Sequence, residues 1–154
     1  MKKITVVLIL TAVFLALFYC GEQESPAAYL PSIRYDNIPL QSYTVAINAK
    51  DDTVISDGPG SEHSPAELIA LNKSEITFTE ISSGKVEIRN GSDKNVDFSI
   101  FFIGVYTENG EKTEYTKSDL SSLPAGKYVI CAKVAKKAFG KEESYYLFAG
   151  IEKN

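Results

Sequence analysis

A few groups of residues in this chain have the types and spacing to do chemistry. His63 is the sole histidine in 154 residues and sits in the loop sequence SEHSP. A Ser-His-Asp hydrolase needs an imidazole to take the serine proton. No strand-to-helix nucleophile turn accompanies His63, so it reads as an exposed loop residue. Asp51, Asp52 and Asp57 precede Gly58 in KDDTVISDGPG, and hard cations take oxygen ligands from such loops. Their spacing matches no calcium loop, and aspartates also serve as turn formers. Zinc needs three or four His, Cys or carboxylate ligands in a tight set, which one histidine and two cysteines do not supply. No metal or other cofactor is expected, and the chain does not read as an enzyme.

The cysteines differ in setting. Cys131 lies in the alternating run GKYVICAKV and reads as a small buried hydrophobe. Cys20 stands where an apolar run gives way to polar residues, in MKKITVVLILTAVFLALFYCGEQES. Two cysteines make no disulfide framework. Among the aromatic residues, Tyr106, Tyr115, Tyr145 and Tyr146 either share an outer sheet face as a patch for a partner or glycan or fill a core that holds no tryptophan. Core filling is the favoured reading. Glu142-Glu143, flanked by Lys136, Lys137 and Lys141, reads as a solvated hairpin tip.

The segment that positions Cys20 begins with Lys2 and Lys3, and Ile4 to Tyr19 is apolar apart from Thr5 and Thr11. As a helix that run would rise roughly 25 Å, short of the ~30 Å hydrocarbon core, which suits a secretory leader better than a permanent span. It lacks the Ala-x-Ala of ordinary cleavage. Leu17-Phe18-Tyr19-Cys20-Gly21 resembles the signal peptide of bacterial lipoproteins, in a relaxed form. Leu17 stands three before the cysteine and Gly21 just after it, while Phe18 and Tyr19 are bulkier than is usual there. The resemblance implies a leader over 1–19, lipid attachment to the Cys20 thiol and a tether over 20–42. It also implies a cell-envelope location, with the domain facing the periplasm or the exterior. An uncleaved anchor held by the lysines and plain secretion are the alternatives. Each places 21–154 outside the cytoplasm.

Residues 1–19 hold two of the sixteen basic residues and none of the twenty acidic ones, leaving fourteen against twenty, a formal −6. With no basic run in the remainder, a nucleic-acid partner is excluded from the reading. The tether, GEQESPAAYLPSIRYDNIPLQS, contains three prolines. Tyr43, Val45 and Ile47 then alternate on one strand face. Ser64-Pro65-Ala66-Glu67 has the form of a helix start with a capping box, although an extended LIAL is the competing assignment. From Glu75 the pattern is β: 75–81, 85–90, 95–107, 123–135 and 144–152 alternate, separated by turn residues. Asn109-Gly110 predicts a type I′ hairpin with 112–116 as the returning strand. In 95–107 the spacing puts Val96, Phe98, Ile100 and Phe102 on one face and Phe101, Ile103 and Val105 on the other.

Six or seven strands with turns every 8 to 12 residues indicate an all-β two-sheet sandwich over 43–154, with Greek-key connections. The clearest part is 75–154. Leu123-Pro124-Ala125-Gly126-Lys127-Tyr128, running into VICAKV, resembles the approach and penultimate strand of a fibronectin type III domain, one of the immunoglobulin-like folds. AKKAFGKEESYYLFAGIEK resembles that family's loop and last strand. The resemblance implies that Tyr128 packs at the sandwich edge with its OH turned back to the loop. It also leaves Val86 or Ile88 to fill the volume of the family's tryptophan. The function expected is a lipid-anchored, non-catalytic binding module with a protein partner in the envelope or on a host. A small extracytoplasmic enzyme or protease inhibitor, or a signal-anchored single-pass protein, is the alternative.

Overall fold

In the computed structural model, residues 30–48, 63–82, 84–92 and 96–154 are described. The alternating segments form β1 (Ser32–Tyr35), β2 (Ile38–Pro39), β3 (Ser42–Ile47), β4 (Phe78–Ile81), β5 (Val86–Arg89), β6 (Val96–Thr107), β7 (Gly126–Ala138) and β8 (Lys141–Lys153). Among the described residues one helix, α1 (Pro65–Leu71), and a 3-10 turn (Lys117–Ser122) join them. β2-β1-β5 make one sheet; β3-β8-β7-β6 make the other. The fold is an all-β sandwich.

One edge of β8 is shared by two strands. β3 runs antiparallel along it from Ala149 to Ser144, and β4 runs parallel along Gly150 to Lys153. Gly150 stands at the junction, where a Cβ would lie 2.6 Å from the Thr77 carbonyl oxygen and 3.0 Å from the Ile76 side chain. The absent side chain is what lets β4 close on β8.

The period of two sorts apolar side chains onto both faces of the larger sheet. Ile130, Ala132 and Val134 of β7 and Leu147, Ala149 and Ile151 of β8 face the smaller sheet and form one core with its Ile33 and Val86, together with Leu40 and with Ile81 of β4. Val129 and Cys131, with Tyr146 and Phe148, face the other way and are covered by Leu68 and Ile69 of α1. The molecule is therefore layered as small sheet, large sheet, helix. The helix forms where its capping signature lies. Ser64 Oγ accepts from the Glu67 N–H, and the Glu67 carboxylate accepts from the Ser64 N–H.

Several expectations change. The tether over 20–42 is too long, because Ile33 is fully buried, Leu40 is buried, and β1 and β2 belong to the sandwich. In β6 a bulge between Phe102 and Gly104 inserts Ile103, and one extra residue reverses the alternation. Val105 consequently joins Phe98, Ile100 and Phe102 on the inner face, while Ile103 packs outward under the helix layer. The partner of β6 over its length is β7, and the segment expected as its returning strand makes a single bridge, Tyr106 to Lys112. β6, β7 and β8 are thus a meander of consecutive neighbours rather than a Greek key.

Asn109-Gly110 does reverse the chain, but only Gly110 has positive φ, at 87°. The Gly110 N–H donates to the Thr107 carbonyl, and Gly110 packs against the backbone of Ala66, at the start of α1. Lys73 ties the same turn to the helix through Asn109 Oδ1 at 2.9 Å. Positive φ at both central residues, as a type I′ turn requires, occurs instead at Asp36-Asn37 and at Phe139-Gly140.

Candidate functional site

Cys20, the residue singled out for lipid attachment, lies outside the described residues, as do Asp51, Asp52, Asp57 and Gly58. His63 is described and sits beside the helix start, its Nδ1 3.9 Å from Glu67 Oε2. Hydrogen bonds from the Ser64 backbone and hydroxyl hold the Glu67 carboxyl below its ordinary range. That carboxylate is occupied as a helix cap, and the pair terminates a helix.

The tyrosines do not gather into a patch. Tyr106 and Tyr146 are buried on the helix side of the large sheet, and Tyr115 and Tyr145 pack against the inner core. Burial pushes the Tyr106 phenol up to about 12, with Cys131 and Tyr146 adding to the shift. Cys131 is fully buried and free, and desolvation pushes its thiol up, which makes it a poor nucleophile. Tyr128 packs edge-on against Tyr115, ring centres 6.0 Å apart at 90°.

An open groove of about 750 Å³ lies between β5 and the 3-10 turn. β5 pairs with β1 through one edge; its other edge faces the groove and has no ladder partner among the described residues. Lys85, Glu87 and Arg89 stand on one wall, with Thr116, Lys117 and Ser118 on the other. Glu87 bridges Lys85 at 2.7 Å and Arg89 at 3.6 Å, and the Lys85 contact holds its carboxyl below the ordinary range. Asp119 is taken up by Thr116, whose N–H and hydroxyl both donate to it at 2.7 Å. This wall offers hydroxyls, cationic side chains and an open strand edge. It suits the addition of an extended peptide through main-chain hydrogen bonds.

The chain matches no protein-family model, no curated protein and no solved structure. Its own chemistry has to carry the reading. Among the described residues no three His, Cys, Asp or Glu side chains come together as a metal site, and no helix is long and apolar enough to cross a membrane.

Two features escaped the sequence. The groove joins residues 85–89 to 116–121, which no local pattern links. The other is a clamp at the β4–β5 crossover. There the Ser82 and Gly84 N–H groups both donate to Tyr35 Oη at 3.1 Å, and the Lys85 N–H donates to Asp36 Oδ1 at 2.8 Å. Tyr35 thus turns its OH back to a loop, and Tyr128, expected in that role, packs its ring on Tyr115 with its OH beside Gly126. The only local signal was Tyr-Asp-Asn, a turn-forming string between two prolines.

Proposed function

We propose that this protein is a lipid-anchored component of a bacterial cell envelope whose β-sandwich, of immunoglobulin or fibronectin type III character, acts as a non-catalytic binding module. The observation that carries the reading is Cys20, placed with Leu17 and Gly21 at the step from apolar to polar sequence. Acyl chains bury at about 0.8 kcal/mol per CH₂, so two or three hold a protein firmly where one does not. The nine residues between Cys20 and Leu30 reach at most about 30 Å when extended, which keeps the domain close to the membrane surface.

The binding half of the proposal is supported by the β5 edge and its groove, where an extended segment of an envelope or host protein would pair with the strand. Cationic Lys85, Arg89 and Lys117 favour an acidic segment there, with Glu87 holding the first two in place. Metabolic labelling with a palmitate analogue tests the anchor: wild-type protein incorporates label and Cys20→Ala does not. Equal incorporation in the two would end the lipid-anchor reading.

A further inference from the structure

Phe139 is the most exposed large hydrophobic residue among those described, at 90%. It occupies the first central position of the β7–β8 turn with φ of +50°, followed by Gly140 at +77°. A bulky side chain in the left-handed region is an outlier, and this position in a type I′ turn is ordinarily filled by Asn, Asp or Gly. Folding gains nothing from the phenylalanine, because its ring stands outside both apolar cores. Strain kept at an exposed position points to a use outside the fold.

The surroundings say what kind of use. Lys136, Lys137 and Lys141 flank the turn, Lys136 paired to Glu143 at 3.2 Å and Lys137 standing opposite Glu142 across the hairpin, which leaves Lys141 as the cation nearest the ring. Beside the ring is a hollow of about 330 Å³, walled in part by Val96, Ala138 and the stems of Lys136 and Lys141. Long cationic side chains around one apolar tip are the arrangement by which a protein meets a membrane interface. The stems lie along the apolar zone and the ammonium groups reach phosphate. A protein partner fits less well, since a stable interface buries about 800 Å² on each side and a single projecting ring offers a small part of that.

The topology also directs the tip. β4 ends beside Lys153, the end of β8 remote from the turn, and there the crossover residues meet Tyr35, the last residue of β1. β1 therefore runs away from the tip. The chain enters at Leu30 and Ser32 from the side to which the hairpin points, and Cys20 lies ten residues before Leu30.

We propose that the Phe139 tip of the β7–β8 hairpin inserts into the interfacial region of the lipid bilayer, with Lys136, Lys137 and Lys141 contacting headgroup phosphates. This orients the domain with its long strands upright on the membrane. The inference rests on the membrane-anchored reading above, because one ring binds lipid weakly unless an anchor already holds it at the surface.

The chain contains no tryptophan, so Phe139→Trp places a single reporter at the tip of the full-length protein. Phe101→Trp serves as the comparison: Phe101 is 54% exposed and pairs with Lys133, five residues down β6 from Val96 and roughly 17 Å from the turn. Both variants are reconstituted into phosphatidylethanolamine–phosphatidylglycerol vesicles with and without brominated acyl chains, and flotation is measured alongside. The expected result is a blue shift and loss of emission at position 139, with water-like, unquenched emission at 101. Water-like emission at 139 in protein that floats with the vesicles overturns the tip insertion and leaves the anchor standing. Equal quenching at both positions overturns it as well, because the sheet would then lie flat. Protein that does not float overturns both.

Discussion

The Asp36-Asn37 and Phe139-Gly140 turns share one backbone solution, two residues at positive φ joining antiparallel strands. They lie at opposite ends of the sandwich and are built for different ends. At the first, every side chain is engaged. Asp36 accepts from the Lys85 N–H, Asn37 Oδ1 accepts from Arg89 at 2.9 Å, and the Asn37 carbonyl accepts from the Arg34 guanidinium. At the second, a phenylalanine takes the place of Asp and projects into solvent. The contrast separates what the fold requires from what it merely carries. Residues that satisfy the backbone mark the end that holds the two sheets together, and a strained, unpacked ring marks the end free for contact.

Glycine substitutions break this comparison most sharply. A Cβ on Gly84 would run into the Asp36 carboxylate and the Tyr35 ring, whereas one on Gly140 meets nothing within 4 Å. Gly84→Ala is expected to cost about 2–3 kcal/mol by overpacking. Gly140→Ala should cost only about 1 kcal/mol, for the positive φ alone. Denaturant titration of the two variants checks this, and equal losses would remove the distinction between the ends.

Tyr35→Phe comes next. It strips the acceptor from two backbone N–H groups at the crossover and should lower stability by about 1 kcal/mol. Amide hydrogen exchange at 82 and 84 should quicken more than at the β7–β8 turn. The smallest effect is that of acid. Glu87 is held below the ordinary carboxylate range by Lys85 first and by Arg89, so the folded protein binds fewer protons than the unfolded chain as pH falls through that range. The Glu87 contribution is present above the ordinary range and is lost as pH drops through its lowered folded value. Glu87→Gln should flatten that part of the stability–pH curve slightly, and an unchanged curve would show that the pair contributes nothing.

Much of the larger sheet was legible, because period-two alternation in 123–135 and 144–152 assigns each side chain to a face without knowledge of its partner. Ser64, Pro65 and Glu67 likewise announced α1, since a capping box is a local structure read from four residues. What stayed hidden was non-local or against type. The bulge at Ile103 leaves no compositional mark, so the face of Val105 came out reversed. β1 and β2 are short, with Pro31 just before β1 and Pro39 inside β2, and prolines read as tether rather than edge strand. The groove depends on two distant segments meeting. The hairpin tip was recognised by its charges, but nothing in a propensity scale places a phenylalanine at positive φ, so Phe139 passed unnoticed.

The division between a fold-holding end and a contact end is tested most directly by the stability of Phe139→Asn, followed by tyrosine near-ultraviolet circular dichroism during chemical denaturation of the full-length protein. Asparagine accepts the left-handed conformation more readily than phenylalanine. The transition midpoint is therefore expected to stay where it is or rise, with the slope unchanged. A lowered midpoint would show that Phe139 helps to hold the sandwich together, and the contrast between the two turns would fail.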